Sequence, residues 1–305
     1  MMNTTLAQFS SPSAPSAPAK TGRVQSPSSI ITYNQCPRKY YYRYHERLPS
    51  PKSIHLIRGS LVHEVLEHIY DLDTAQIPDE SFLVTLRVVL HENFRKTWLA
   101  ASDELAELGL SPEELDGFYA ESRDMVSNFF HYLKDRMRPH LSSMTPREAF
   151  AKVTPKREVL MKSARHNVQG YIDAIQEEGL GEKPRTVILD YKTSKKLEIT
   201  PEYRQQLGIY AMLHEEHSFA PEEVAIFFLK HGQELRLPVT FELIEEARAA
   251  CRDVGLRTTS TQINDYPKRP GPLCKYSSGQ CEYYGLCFEG RTPQEHRELV
   301  KIRRH

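Results

Sequence analysis

Three carboxylates and a lysine carry the first chemical signal in this chain. Asp190 and Lys192 flank Tyr191 directly after the apolar run Val187-Ile188-Leu189. Side chains alternate along a strand, so the two charges project from one face and Tyr191 from the other. Taken alone, such a pair is an ordinary strand-end ion pair worth ~0–1 kcal/mol. Asp173, closing Gly170-Tyr171-Ile172-Asp173, places a second acid on the preceding strand of an expected hairpin, and Glu158 lies upstream as a third. Carboxylates on adjacent strands can share a hard cation such as Mg²⁺, which takes oxygen ligands and keeps several waters. A lysine beside them stabilises charge at a phosphate or acts on water. Gln206 and Tyr210, four apart on an expected helix, share a face and reach toward the same place. Core packing is the competing reading of Tyr210.

Two further groups call for explanation. Cys274, Cys281 and Cys287 cluster late in the chain, with Cys36 far upstream. Five cysteines in 305 residues make no disulfide scaffold. The fifth, Cys251, falls among Ala247, Ala250 and Val254 and reads as a core residue. Around Cys36, the run through Arg38, Lys39, Tyr40 and Arg43 interleaves cations with aromatic rings. That composition can meet phosphates and stack on bases; taken alone, the run reads first as a helix with its tyrosines packed on the core. In His63-Glu64-Val65-Leu66-Glu67-His68 the histidines are five apart and on different helix faces, which excludes the zinc-protease arrangement. Glu64, Glu67 and His68 are expected to face solvent.

These residues need elements to position them. Apolar spacing predicts helices from Gly59 to about Leu72, over Ser81–Leu99, and from Ser111 to about Arg138, the last with a Ser111/Glu114 capping box and Pro112 behind it. Strands follow at Val159–Met161, Val168–Ile175 and Thr186–Lys192, with a glycine-bearing turn at 177–182. A helix capped by Thr200-Pro201 runs to about His217, then strands Val224–Leu229 and Glu234–Val239, then a helix from about Thr240 to Val254. This order predicts an α/β fold, a mixed β-sheet flanked by helices. Equal numbers of basic and acidic residues, 40 each, exclude a global electrostatic pull toward nucleic acid, so any such binding rests on local patches. No apolar run reaches the ~18 residues of a membrane span. The expected setting is cytoplasmic, nucleoid-associated in a bacterium. The Ser/Pro/Ala-rich residues 1–26 are expected to be a disordered tail. An organellar transit peptide is the weaker reading, because the only basic residues there are Lys20 and Arg23.

Gly170-x-x-Asp173, Asp190-Tyr191-Lys192 and Gln206-x-x-x-Tyr210, taken in order, resemble the RecB-type branch of the PD-(D/E)XK nucleases, which includes exonuclease V and AddB-like proteins. Gly59-Ser60-Leu61-Val62-His63 resembles that branch's first motif, and Ser28-x-Ile30-x-x-Tyr33-x-x-Cys36-Pro37-Arg38-Lys39-Tyr40 its N-terminal segment. The resemblance implies a restriction-endonuclease-like nuclease domain over 27–290, with a mainly helical region 59–150, a catalytic core 151–265 and a cysteine segment 267–290, followed by a basic tail 291–305. It implies Mg²⁺ or Mn²⁺ held by Asp173, Asp190, His63 and the Tyr191 backbone carbonyl. Lys192 would position or deprotonate water, Gln206 and Tyr210 would orient the strand, and Glu158 would assist. Relatives hold a 4Fe–4S cluster with one early and three late cysteines, which implies Cys36, Cys274, Cys281 and Cys287 as a staple between the two ends. The usual two-residue gap is here six, between Cys274 and Cys281. Four thiolates also suit Zn²⁺, the alternative occupant.

The implied activity is metal-dependent hydrolysis of DNA, most simply a single-stranded DNA exonuclease in repair or recombination. Arg38, Lys39, Tyr40 and Arg43, with Arg297, Lys301, Arg303 and Arg304, offer phosphate contacts. A helicase or a single-strand-binding protein is the expected protein partner, and no membrane is involved. The competing classes are a catalytically silent DNA-binding accessory subunit and a CRISPR-adaptation nuclease.

Overall fold

The computed structural model describes residues 22–179, 184–276 and 279–302. In chain order the helices are α1 (Pro27–Gln35), α2 (Pro37–Tyr40), α3 (Ile54–His68), α4 (Phe82–Ala100), α5 (Ser102–Ala106), α6 (Pro112–Met137) and α7 (Pro146–Val153). Strands β1 (Lys156–Ser163), β2 (Val168–Glu178) and β3 (Arg185–Lys192) follow, then α8 (Pro201–His217), β4 (Glu223–Phe228), β5 (Gln233–Pro238) and α9 (Phe241–Arg257). A two-residue ladder, β6 (Lys275–Tyr276) and β7 (Gly279–Gln280), precedes α10 (Tyr284–Phe288) and α11 (Pro293–Ile302).

The five large strands form one sheet in the order β1-β2-β3-β4-β5. β3 and β4 run parallel and every other neighbour pair is antiparallel. Strands covered on both faces read as unbroken apolar runs, and both central strands do: Val187-Ile188-Leu189 and Val224 to Phe228 are fully buried. Alternate residues supply two cores. Val187, Leu189, Tyr191, Ala225 and Phe227 pack with α3, α4, α6 and α7. Ile188, Val224, Ile226 and Phe228 pack with α1, α8 and α9. Each fully buried side chain of this size contributes about 1.5–3 kcal/mol.

Helix ends follow local chemistry. Ser111 and Glu114 form the expected capping box on α6, and Thr200 accepts from the Tyr203 N–H at the start of α8. α3 begins at Ile54, earlier than the apolar spacing suggests, because Ser53 caps it. The expected tail shortens at its inner end: Gln25 is buried and bridges Val168, so residues 22–26 belong to the fold, and 1–21 lie outside the described residues. The expected turn at 177–182 lies partly outside them as well. The expected C-terminal tail is instead largely α11. Its His296 is buried and donates from Nε2 to the Pro49 carbonyl, and Arg297 donates to the Glu46 carbonyl.

The two ends of the chain meet. Arg38 Nε donates to the Tyr266 carbonyl at 2.7 Å, and the Tyr283 hydroxyl donates to the Leu48 carbonyl at 3.1 Å. Tyr40 stacks on Tyr266, with ring centroids 6.1 Å apart.

Candidate active site

β3 delivers the chemistry at its C-terminal end, the end of a parallel strand where α/β sheets place their ligand sites. Arg157 pairs with Ala174 and Val159 with Ile172, which sets Glu158 opposite Asp173. Ala174 pairs with Leu189, and the next register position sets Asp173 opposite Asp190. The three acids therefore form a row across three adjacent strands. Like charges directly opposed repel, and Glu158 also holds φ 45°, a left-handed conformation that costs a non-glycine residue about 1–2 kcal/mol. Fold stability does not explain such a row.

Its surroundings sort the three acids. Asp190 is almost wholly buried; its Oδ2 lies 2.5 Å from Lys192 Nζ, and its Oδ1 accepts from Gln206 Nε2 at 2.9 Å. Asp173 Oδ2 accepts from the Tyr191 backbone N–H at 2.9 Å and stands 3.6 Å from His63 Nδ1. Burial, then the Asp190 charge, pushes Asp173 up to about 6. Burial, then Asp173, Glu67 and Asp190, pushes Glu158 up to about 7. Burial opposes the Lys192 ammonium, but contact with Asp190 outweighs it, so its pKa stays above the ordinary value and the side chain is a cation.

α8 closes the other side. Gln206 Nε2 also donates to the Tyr210 hydroxyl at 2.9 Å, and Tyr210 is buried against β2. A Cβ on Gly170 would lie 3.0 Å from the Tyr210 ring and 3.4 Å from Pro27, so the glycine of Gly170-x-x-Asp173 makes room for this ring. The Gly59 position is roomy by comparison, 3.7 Å from Thr193 Oγ1.

A cleft of about 10 Å³ lies among His63, Glu67, Arg157, Glu158, Asp173 and Tyr191. That is room for about one water-sized species. No group of three or more His, Cys, Asp or Glu among the described residues forms a ready-made ion cage. Mg²⁺ keeps most of its waters and needs only one or two direct carboxylates. Asp173 and Glu158, whose pKa values burial raises, offer such an ion carboxylate oxygens at this cleft.

The expected site residues thus divide. His63, Glu158, Asp173, Asp190, the Tyr191 backbone and Lys192 come together, with Gln206 and Tyr210 behind Asp190. Tyr210 is too buried to touch a substrate strand directly. Tyr40 is corrected outright: it is fully buried in the tyrosine cluster, its hydroxyl donating to Gln25, and cannot stack on a base. Lys39 pairs with Glu282 at 3.0 Å, Arg38 is held by Tyr266, and Arg43 is exposed. Glu67 departs from its expected solvent position: half-buried, it lines the cleft one turn after His63. The signal was its i,i+4 spacing from His63, which puts both on one helix face.

All four expected cluster cysteines are half-buried and line one cavity of about 550 Å³, together with Lys39, Lys268 and Phe288. Burial raises the Cys281 thiol to about 11 and also lifts that of Cys287, which feels Cys36 and Cys274. Cys251 stands apart in the core, as expected.

The PD-(D/E)XK nuclease superfamily model matches residues 25–288, most of the chain and every residue of the acid row. The chain belongs to the PD-(D/E)XK nuclease superfamily. Among curated proteins, this chain is 31% identical over 139 residues to a CRISPR-associated exonuclease Cas4/endonuclease Cas1 fusion from Geobacter sulfurreducens. The match spans 43% of this chain and 23% of that protein. Among solved structures, a candidate exonuclease from Eubacterium rectale aligns over 94% of both chains with 14% identity and a TM-score of 0.48, a likeness too distant to bear on the site. Among the described residues no helix is long and apolar enough to cross a membrane.

Proposed function

We propose that this protein is a metal-dependent deoxyribonuclease acting on single-stranded DNA from an end. The observation that carries the reading is the row Glu158–Asp173–Asp190 with Lys192 closing on Asp190. Asp173 and Asp190, with His63 and the Tyr191 carbonyl, would hold Mg²⁺ or Mn²⁺, which supplies an activated water and neutralises charge developing on phosphate. Lys192 is a cation at neutral pH, so its task is to position water and stabilise the phosphate rather than to take the proton. Gln206 fixes Asp190 by its hydrogen bond, and Tyr210 fixes Gln206. Both act as positioning residues. Glu158, whose pKa burial raises to about 7, can accept a proton from water near neutral pH.

The four cysteines on one cavity support a shared metal group, a 4Fe–4S cluster by the family resemblance, with Zn²⁺ as the alternative occupant. Thiols whose pKa values burial has raised need a bound cationic group to exist as thiolates. The cluster's place, between the residues that join the two chain ends, suits a structural role.

A second reading, a nuclease of CRISPR spacer acquisition, is favoured by the likeness to the Cas4/Cas1 fusion. Linear and circular single-stranded DNA, each with Mn²⁺, separate the modes of attack. Degradation of the linear form alone supports the end-dependent exonuclease; equal attack on circles overturns that part of the proposal.

A further inference from the structure

A second cleft, about 370 Å³, opens beside Lys192. It is lined by His55 and Arg58 from α3, by Lys192, Thr193, Ser194 and Lys195 at and after the end of β3, and by Tyr203 from α8. Every ionisable side chain in that lining except the tyrosine is basic, and no carboxylate is present. Arg58 shares its counter-charge, Glu121, with Lys230. Lys192 is already committed to Asp190. The exposed Lys195 ammonium has no hydrogen-bond or ion-pair partner among the described residues. Arg58 is 2% exposed, yet its Nε finds no acceptor. A buried guanidinium with an unmet donor is costly unless an anion completes it. His55 feels the same imbalance: burial, then Arg58, Lys195 and Lys230, holds its pKa below the ordinary imidazole value.

We propose that this cleft binds a phosphate group of the nucleic-acid strand, next to the one being cut. The inference rests on the nuclease reading and adds a substrate subsite to it. Arg58 and His63 are five residues apart on α3, about 7.5 Å along the helix axis. An anion at Arg58 therefore belongs to a neighbouring nucleotide rather than to the scissile phosphate. Tyr191 lines the acid cleft and Lys192 the basic one, so consecutive residues of β3 face the two. A strand anchored in the basic cleft is held in register with the acid row, which is how positioning accelerates a reaction. The phosphate can be an internal diester or a terminal monoester, and the latter carries more negative charge.

The test is fluorescence anisotropy in EDTA with the full-length protein and a single-stranded oligonucleotide bearing a 5′-phosphate, a 3′-phosphate or neither, across a salt series. Lys195→Ala is expected to weaken binding about 3–10-fold and to lower the salt slope by about 1, with Lys195→Glu weaker still. Lys195 is exposed, so both variants should keep the wild-type Tm. Lys152→Ala, an exposed cation at the end of α7, should bind as wild type. A larger loss on a phosphorylated end identifies the terminal group as the ligand; equal losses on all three identify an internal phosphate. Wild-type affinity and salt slope in both Lys195 variants, with cleavage intact, overturn the basic cleft alone. A wild-type protein that neither binds nor cuts DNA removes the nuclease reading and this subsite with it.

Discussion

Replacing Glu158 by glutamine removes one charge from the acid row without changing its shape. Glu158 sits opposite Asp173, feels Glu67 and Asp190 as well, and has its pKa raised from 4.5 to about 7. A displacement of that size corresponds to about 3 kcal/mol between the two protonation states. Solvent screening at a half-buried position brings the useful part down to about 1–2 kcal/mol. The sign follows from linkage. Glu158 and Asp173 bind protons more tightly in the folded than in the unfolded chain. Their contribution is present in full below the unfolded values and is lost as pH rises through about 6 and 7. In EDTA at pH 8 the variant should therefore melt above wild type by about 2–5 °C. At pH 5, close to the unfolded value of 4.5, the folded carboxyl is protonated and the difference should be small. Added Mg²⁺ or Mn²⁺ should raise the wild-type Tm more at pH 8 than at pH 5, while cleavage by the variant falls. Thermal melts across pH with and without metal decide it. A variant less stable than wild type at pH 8 in EDTA, or a difference independent of pH, would refute the reasoning.

Lys192→Ala should lower cleavage by about 10²–10⁴-fold if, as proposed, this cation stabilises the reacting phosphate; a steady-state assay that finds wild-type rates removes Lys192 from the mechanism. Gly170→Ala should cost about 1–3 kcal/mol by driving Tyr210 off β2, whereas Gly59→Ala has room and gains about 1 kcal/mol of helix propensity. Denaturant melts giving the opposite order would contradict the packing described. Cys281→Ser in anaerobically purified protein should reduce bound iron and visible absorption and lower the Tm by several degrees; full iron content would exclude Cys281 as a ligand.

Much of the architecture was legible because the signals were local. Val187–Leu189 and Val224–Phe228 are unbroken apolar runs, and Ser111, Glu114, Thr200 and Pro201 write their helix starts into single turns. What stayed hidden depends on contacts between distant segments. The pairing of Arg157 with Ala174, which brings Glu158 to Asp173, is set by strand register. Gln25 sits in a Ser/Pro-rich stretch and is buried only because it bridges Val168. Arg38, Lys39 and Tyr40 read alone as a packed helix and, with the resemblance, as a DNA contact; Tyr266 and Glu282, hundreds of residues away in sequence, hold them in the packing. The basic residues after 290 drew attention from His296 and Val300, the buried stripe that folds α11 onto the protein. Arg58 escaped notice, and Glu67 reads from sequence as solvent-facing, because their meaning lies in which clefts they line.

The most direct measurement compares wild type with Asp190→Asn on end-labelled single-stranded DNA, in Mg²⁺, in Mn²⁺ and in EDTA. Asp190 is the buried carboxylate on which Lys192 and Gln206 converge. Wild type should cleave only with metal, and the variant should lose at least about 10³-fold while still binding DNA. Cleavage in EDTA, or an Asp190→Asn protein that cuts as fast as wild type, would contradict the account.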